Sequence, residues 1–479
     1  MIAKQLCRQS RVADRNTARL IATLVTTVVT LVAPSALRAQ APAAPADATQ
    51  RPTVDAMPAQ SKPDATDETP DEPFEWDFSW RGWDGLHVSA TRKLSVADPA
   101  NTLPIINLDE VQFTGKVTGR LEFDGALFST TGTLSGFDNG FDLRRARIKY
   151  RGGSIVLIPI TYTIDIGYVP NQFSVTEANA TVPDLPYIGR LKFGYFQPTM
   201  GLDLITSSWS IQFSEPAAPV QAIVPGTQLG LEIGRTFLAR RGTWTLGLYG
   251  NGGTNPEYGY ASEDFGNVNA RMTWLAVDGI DADRPSANRL LHLGLSGSAS
   301  YAGNGELRYR SRPESYLAPY VIDTGTINAS RASTIAAELA WVDGPRSAQA
   351  ELIRSSIEDS TVGPLVFGGF YATAGVFLTG ESRPYNRETG AFDRVTPSSR
   401  FQFGPNGGWG ALEAAVRYSY TDLSDRGIQG GRLSMVMTTL NWYLQPHLKW
   451  MLELGAGNTR SGATNGNMVI MQMRMGVDF

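Results

Sequence analysis

The sequence is poor in the residues that supply most metal and redox chemistry. Its 479 residues include one cysteine, Cys7, and three histidines, His87, His292 and His447. Beyond residue 39 the chain therefore has no disulfide and no thiolate metal site. It also lacks a P-loop, a dinucleotide fingerprint and a metal-ligand motif, and no basic tract suggests nucleic-acid binding. We expect no cofactor, no metal site and no nucleic-acid partner.

Long apolar runs are also missing after the first forty residues. A membrane-spanning helix needs roughly 18 or more consecutive apolar residues, and no later stretch reaches that length. The apolar run from Leu20 to Ala33 follows five basic residues and precedes several small ones. This pattern predicts a signal peptide over residues 1–39, cleaved near Ala39; an amphipathic anchor helix is the alternative. An exported chain without a helical anchor is periplasmic, secreted or a barrel.

Charge is divided unevenly along the chain. Residues 1–39 carry a net charge of +5, residues 40–77 carry −7, and residues 78–479 carry only −2. Residues 40–77 are rich in Ala, Pro and Asp, a composition that buries too little apolar surface to offset the entropy of ordering. We predict a disordered acidic periplasmic extension there. A plain spacer is one interpretation of it and a peptidoglycan-binding segment is the other.

From about Thr114 the apolar pattern has a period of two. Charged side chains from Lys116 to Asp124 alternate with apolar residues and glycines, and successive side chains of a strand point to opposite faces. Similar segments of about ten residues recur between turn clusters, which is the length that a tilted strand needs to cross a bilayer. A soluble sandwich has the same alternation, so the number of strands and their closure decide between the two.

The last segment favours a barrel. Val469, Met471, Met473 and alternate residues after them share one face, and the chain ends on Phe479. A terminal Phe after an alternating strand resembles the assembly signal of outer-membrane barrels. About 400 residues at roughly 25 per strand and loop predict about 16 strands, enough for an aqueous channel. The expected fold is an all-β transmembrane antiparallel barrel over residues 78–479, after the signal peptide and linker.

Several segments resemble the phosphate-selective porin O and P family of bacterial outer-membrane porins. The two with the most specific likeness are LTGESRPYNRETGAFDRVTP and WGALEAAVRYSYTDLSD. The full set, which covers most of residues 114–479, is Phe141 to Gly152, Gly189 to Gly234, Leu378 to Pro397, Trp409 to Asp425, and Asn441 to Gly455. The resemblance implies a 16-stranded barrel, usually trimeric, that passes phosphate or related anions. It also implies outer-membrane lipid and the barrel assembly machinery as partners, in the outer membrane of a Gram-negative-type bacterium.

The best candidate site is a basic ladder on one strand. Arg145, Arg147, Lys149 and Arg151 are spaced by two and so share a face. Inside a narrow lumen such donors pass an anion between them, and guanidinium groups match phosphate geometry. The alternative is a solvated face neutralised by Glu122, Asp124 or Asp165 of neighbouring strands. Alternation gives four further candidates for the pore lining: Arg120, Arg190, Lys192 and Arg417.

Residues 206–226 lack alternation and contain three prolines. Because proline disrupts a ladder, we predict a loop, folded into the lumen as the resemblance implies, or else an extracellular loop. Its candidate constriction residues are Ser214, Glu215 and Gln221. The acidic Glu215 is expected to narrow the pore and to count against strict anion selectivity.

The favoured interpretation is a passive outer-membrane channel for small hydrophilic solutes, with anions such as phosphate as the expected cargo. The alternatives are a general or differently selective porin of the same fold, and a structural surface protein anchored by its barrel. Catalysis is not expected, because His292 and Ser296, four residues apart on one strand face, are separated by about 13 Å, too far for a base and nucleophile.

Overall fold

A computed structural model describes residues 75–93, 110–155, 159–169, 172–250, 260–263, 266–281, 285–404, 407–462 and 464–479. The predicted signal peptide and most of the predicted acidic extension lie outside these residues. None of the helices in the described ranges is long and apolar enough to cross a membrane.

Strands make up most of the described chain. Short helices are α1 (Leu202–Ile205) and α2 (Ala218–Ile223), with 3-10 turns at Gly82–Asp84 and Pro285–Ala287. The strands are β1 (Glu75–Trp80), β2 (Leu86–Lys93), β3 (Glu110–Thr130), β4 (Gly140–Ile155), β5 (Pro159–Val169), β6 (Gln172–Leu185), β7 (Gly189–Phe196), β8 (Gln228–Phe237), β9 (Gly242–Gly250), β10 (Ala261–Glu263), β11 (Gly266–Gly279), β12 (Arg289–Arg308), β13 (Arg310–Ser311), β14 (Ile322–Asp323), β15 (Ile327–Asp343), β16 (Arg346–Asp359), β17 (Gly363–Phe377), β18 (Tyr385–Asn386), β19 (Ala391–Phe392), β20 (Ala411–Asp425), β21 (Ile428–Gln445), β22 (Leu448–Arg460) and β23 (Asn465–Asp478).

Sixteen of these strands close into an antiparallel barrel, as the sequence predicted. They are β3 to β9, β11, β12, β15 to β17 and β20 to β23, each paired with the next. The ring closes where β23 pairs with β3, from Asp478 opposite Arg120 to Met468 opposite Thr130. Closure satisfies the backbone groups that an open sheet edge would expose to lipid.

The period-two pattern separates an apolar outer wall from a polar interior. In β23, Val469, Met471 and Met473 are exposed on the outer wall, whereas Gln472 and Arg474 are buried inside. The predicted faces of the last strand are therefore confirmed. Burial alternates in the same way along β15 and β16.

Both ends of the described chain meet at one rim, here called the terminal rim. The β1–β2 hairpin pairs with the first part of β3, and β23 pairs with the rest. Phe479 exchanges two 3.0 Å backbone hydrogen bonds with Gly119, and its ring occupies the space that a Cβ at residue 119 would need. Strand β1 begins at Glu75, within the residues 40–77 for which the sequence predicts a disordered extension.

Three connections fold into the barrel instead of extending away from it. The first inward segment is residues 197–227 and the second is residues 309–326; both leave from the opposite rim, the one away from Phe479. The third inward segment, the described part of residues 378–410, leaves from the terminal rim, and its first part, as far as Val395, lies in the lumen. They fill the part of the interior enclosed by β9 to β23, where the largest buried apolar cluster also lies.

Candidate functional site

Carboxylates on the inner wall hold the backbone of the first inward segment. Glu351 on β16 accepts hydrogen bonds from the amides of Leu202 (2.5 Å) and Asp203 (2.9 Å) at the start of α1. Glu453 on β22 accepts from both the amide (2.6 Å) and the hydroxyl (2.8 Å) of Ser214. These charge-assisted bonds are stronger than neutral ones. The prediction that residues 206–226 fold into the lumen therefore agrees with the structure.

Glu215 is neutralised inside this segment. Its carboxylate accepts from Arg144 at 2.7 Å and from Arg474 at 2.6 Å, and it is 3 % exposed. Burial alone would raise the pKa of Glu215, but these two guanidinium groups hold that pKa below the ordinary carboxyl range. Glu215, which the sequence placed at the constriction, thus carries a paired charge and does not line the cavity.

Arg417 on β20 attaches the second inward segment to the barrel wall. Its guanidinium bonds Glu314 at 2.9 Å and the carbonyl of Glu215 at 3.1 Å, and it lies over the Phe213 ring. Glu314 also accepts the amide of Ala218. Arg417 points inward, as alternation predicted, but the prediction that it lines the pore is wrong because two inward segments cover it.

The third inward segment is held by a buried ionic cluster. Arg271 on β11 pairs with Glu338 at 2.7 Å and donates to the carbonyls of Thr389 (3.0 Å) and Gly390 (2.8 Å). Gly390 has a φ of +63°, and a Cβ there would lie 2.7 Å from the Thr273 hydroxyl. Only glycine fits this close approach without strain.

The open space in the barrel is eccentric. A cavity of about 1790 Å³ follows the wall from β3 to β8 and extends along β6 from Ser174 to Leu185. At the terminal rim it reaches Arg240 and Phe479, and its inner boundary includes the first inward segment from Leu204 to Ser208. The cavity therefore runs between the two rims on one side of the barrel.

The cavity lining is basic although the chain is acidic. Eleven Lys and Arg residues line it against six Asp and Glu residues, whereas the whole chain has 42 basic and 46 acidic residues. The basic residues are Lys116, Arg120, Arg145, Arg147, Lys149, Arg151, Arg190, Lys192, Arg235, Arg240 and Arg394. Seven of the eight predicted pore-lining residues are among them. An interior with this excess of one sign attracts the opposite ion.

Known proteins are similar in sequence to this chain over most of the barrel. The family model described as "Phosphate-selective porin O and P" matches residues 116–479. The chain belongs to this family. The porin is 26 % identical to Porin O of Pseudomonas aeruginosa over 379 residues, which is 71 % of this chain and 81 % of that protein. It is 28 % identical to an uncharacterized protein of Caulobacter vibrioides over 387 residues, 76 % of this chain and 74 % of the relative.

Solved outer-membrane porins also align with the chain. An anion-selective porin from Comamonas acidovorans aligns with a TM-score of 0.46 and 10 % identity, covering 77 % of this porin and 100 % of that chain. Together with the family match, the closed barrel identifies an outer-membrane channel. Family and fold indicate a channel and not an enzyme.

The basic ladder on β4 has features of both alternatives that the sequence left open, bases that line a lumen and bases neutralised by carboxylates. All four of its residues line the cavity. Arg145 nevertheless pairs with Glu122 at 2.7 Å and Lys149 with Asp165 at 2.9 Å. Arg151 is exposed and has no ion-pair partner among the described residues. The ladder therefore places Arg151 beside open space and uses Arg145 and Lys149 to join strands.

Further bases follow the ladder around the wall of the porin. Lys192 lies 3.4 Å from Glu177, and Arg190 lies 3.5 Å from Glu232. Arg120 donates to the Ser208 hydroxyl at 3.0 Å, at the edge of the first inward segment. The bases on β3, β4 and β7 thus surround one open space.

The predicted constriction residues lie away from the cavity. Ser214, Glu215 and Gln221 all belong to the first inward segment and are buried, but none lines the cavity. The part of the segment that borders the cavity is residues 204–208. The predicted loop is therefore present, while its predicted constriction residues face the filled half of the interior.

Sequence reasoning missed Arg144. The register of β3 and β4 shifts between Glu122 and Phe123, opposite Arg145 and Leu143, which leaves Arg144 as an unmatched bulge residue. A bulge lets neighbouring residues face the same side, and both arginines are buried inside. The adjacent pair was a usable signal, because one of two successive arginines on a regular strand would face lipid at high cost.

Asp203 gives a prediction about pH. Its carboxylate accepts a hydrogen bond from the amide of Ala217 at 2.9 Å, which joins α1 to the residue before α2. Burial raises the pKa of Asp203 despite the nearby Arg417. A carboxyl whose pKa is raised in the folded state destabilises that state as the pH rises from the ordinary carboxyl range through the raised pKa.

Asp203→Asn should therefore raise the urea midpoint at neutral pH and reduce its dependence on pH, because the amide oxygen still accepts the same bond. Refolding in lipid followed by urea titration at pH 5 and pH 7.5 measures this. Glu388→Gln, at an exposed residue, is the control. A variant midpoint that falls at neutral pH would contradict the prediction.

His292 and Ser296 have separate partners inside the barrel. His292 and Ser296 are both buried inside the barrel, where His292 contacts Tyr385 at 2.7 Å and Ser296 accepts the amide of Gly201 at 3.2 Å. Among the residues that the structure describes, no group of three or more His, Cys, Asp and Glu side chains is placed to hold a metal ion.

Proposed function

We propose that the porin is a passive channel for small anions, phosphate among them. The observation that carries the proposal is the composition of the cavity, whose lining has eleven basic and six acidic residues. In a lumen with low-dielectric walls, such an excess raises the local concentration of anions. Selectivity from rings or rows of charged side chains is a general device of pores.

Weak, repeated binding fits the arrangement of the bases. Conduction requires sites that attract the ion but also release it. Lys149 and Lys192 share Glu177, at 3.0 Å and 3.4 Å, so their attraction for a passing anion is reduced. Arg147 and Arg151 lie on either side of Lys149 on the same face. An anion is expected to move along β4 between basic groups that attract it with unequal strength.

A general porin is the second candidate. The observation that favours it is the set of carboxylates in the same cavity, including Asp165, Glu177 and Glu232. A barrel that only anchors surface loops is disfavoured, because the connections 360–362, 426–427 and 461–464 at the opposite rim are short. The predicted homotrimer, the cleaved signal peptide and the assembly role of Phe479 remain proposals.

Planar-bilayer recording tests the function. The reversal potential in a KCl gradient reports the preference between chloride and potassium, and phosphate is then added to the chloride solution. We expect an anion preference and a chloride current that falls as phosphate occupies the ladder. A cation-preferring channel would contradict the anion assignment. An anion-preferring channel whose chloride current does not change when phosphate is added would contradict only the assignment of phosphate as a cargo.

A further inference from the structure

The third inward segment crosses the terminal rim from the lumen to the outer wall. Val395 lies in a buried cluster with Phe377, Ala411 and Tyr443, inside the barrel. Six residues later the ring of Phe401 packs on the outer wall. A single short stretch of chain thus connects the lumen to the membrane-facing surface.

The stretch is fixed to the outer wall by aromatic contacts. The Phe401 ring lies edge-on to Trp442 at 5.2 Å and to Phe403 at 4.9 Å. Its amide donates to the carbonyl of Leu444 at 2.8 Å, and the Trp442 indole donates to the carbonyl of Trp409 at 2.6 Å. Trp442 points outward because its neighbours in β21, Asn441 and Tyr443, point inward.

The tip of this stretch exposes large apolar rings. Phe403 is 95 % exposed and Trp409 is 70 % exposed. We call Arg400, Phe401, Phe403 and Trp409 the aromatic finger; Arg400 is also exposed. Leaving a side chain such as phenylalanine in water costs about 1.5–3 kcal/mol relative to burying it. Within the described part of the chain, the contacts with Phe401 and Trp442 leave the rings of Phe403 and Trp409 mostly exposed.

The surroundings of the finger indicate what covers it. The outer wall of the neighbouring strands is apolar, with Val416, Leu440 and Leu454 exposed on it. This wall is the lipid-contacting surface of an outer-membrane barrel, so the finger continues an interface with lipid. Aromatic rings with a nearby cation suit the boundary between headgroups and acyl chains, where the rings enter the apolar layer and the cation meets phosphate.

We propose that the aromatic finger docks into the phospholipid surface of the membrane at the terminal rim. The occupant is a phospholipid bilayer boundary, with Arg400 toward the headgroup phosphates and Phe403 toward the acyl chains. The same segment carries Arg394, which pairs with Asp478 at 2.9 Å and lines the cavity. The contact with lipid lies outside the cavity, so the inference goes beyond the proposed anion function.

Site-specific quenching tests the proposal. Because the chain has one cysteine, Cys7→Ser supports single-cysteine variants. Phe403→Cys, Gln402→Cys and Leu454→Cys are each labelled with an environment-sensitive fluorophore and refolded into vesicles of phosphatidylethanolamine and phosphatidylglycerol. Gln402 is an exposed neighbour of Phe403, and Leu454 is the lipid-facing control. Doxyl-labelled phospholipid quenches from within the bilayer, and iodide quenches from water.

The label at residue 403 should be quenched by doxyl lipid several-fold more strongly than the label at residue 402, and about as strongly as the label at residue 454. Equal quenching by iodide at residues 402 and 403 would overturn the proposal. A disulfide that joins two copies of the unlabelled Phe403→Cys variant in the same vesicles would also overturn it and would indicate a second copy as the occupant. Neither outcome depends on the selectivity of the channel.

Discussion

Replacing Arg147 and Arg151 together by glutamate should abolish most of the anion preference of the channel. The double substitution leaves nine basic and eight acidic residues around the cavity in place of eleven and six. Both side chains lie on the inner face of β4 and line the cavity, where wall charge raises or lowers the local concentration of passing ions. The reversal potential in a KCl gradient should move most of the way to zero.

The effect should be largest at low ionic strength. The Debye length is about 30 Å at 0.01 M salt and about 3 Å at 1 M, so concentrated KCl will mask the change. Arg289→Glu with Arg432→Glu is the matched control, because it makes the same change in charge at exposed residues that do not line the cavity. A control that shifts the reversal potential as much as the ladder variant would refute a local role for β4.

Removing Arg474 should both destabilise the barrel and enlarge its conductance. This buried guanidinium bonds both oxygens of Asp124 at 2.6 Å and one oxygen of Glu215 at 2.6 Å. Arg474→Ala leaves two carboxylates buried with one partner fewer, a loss that costs about 3–5 kcal/mol for a buried pair. Because Glu215 belongs to the first inward segment, the segment also loses an attachment to the wall.

Urea unfolding and single-channel recording measure the two effects. The midpoint should fall, and the open-channel conductance should rise or become noisy as the segment moves. Arg432→Ala, which removes an exposed pair with Asp422, should change neither, since exposed pairs contribute little. An Arg474→Ala channel with normal stability and conductance would show that the ion pairs do not hold the segment.

The barrel could be predicted because the alternation of polar and apolar residues is visible within each strand. Alternation places one face of each strand in lipid and the other in the lumen. The pattern is therefore recognisable from the residues of a single strand. The pairing of β23 with β3 and the position of Phe479 follow from closing an even number of such strands. The inward position of residues 206–226 was also predictable, from prolines and lost alternation together with the family resemblance.

The charge balance inside the barrel could not be predicted in the same way. Whether Glu215 faces the pore depends on Arg144 and Arg474, which are 71 and 259 residues away in sequence. Arg417 is covered by Glu314 from a segment that sequence reasoning did not recognise as inward. The third inward segment was noticed only as a family likeness, because its contacts with Arg271 lie more than a hundred residues away.

Cysteine modification tests the eccentric pore most directly. Thr163 lines the cavity from β5, whereas Ser419 on β20 is buried against Glu314 in the filled half. With Cys7→Ser in place, Thr163→Cys and Ser419→Cys are exposed to a negatively charged methanethiosulfonate during bilayer recording. We predict that the reagent lowers the anion current through Thr163→Cys and leaves Ser419→Cys unchanged. Block at Ser419→Cys with none at Thr163→Cys would place the conducting path in the other half of the barrel and contradict this account.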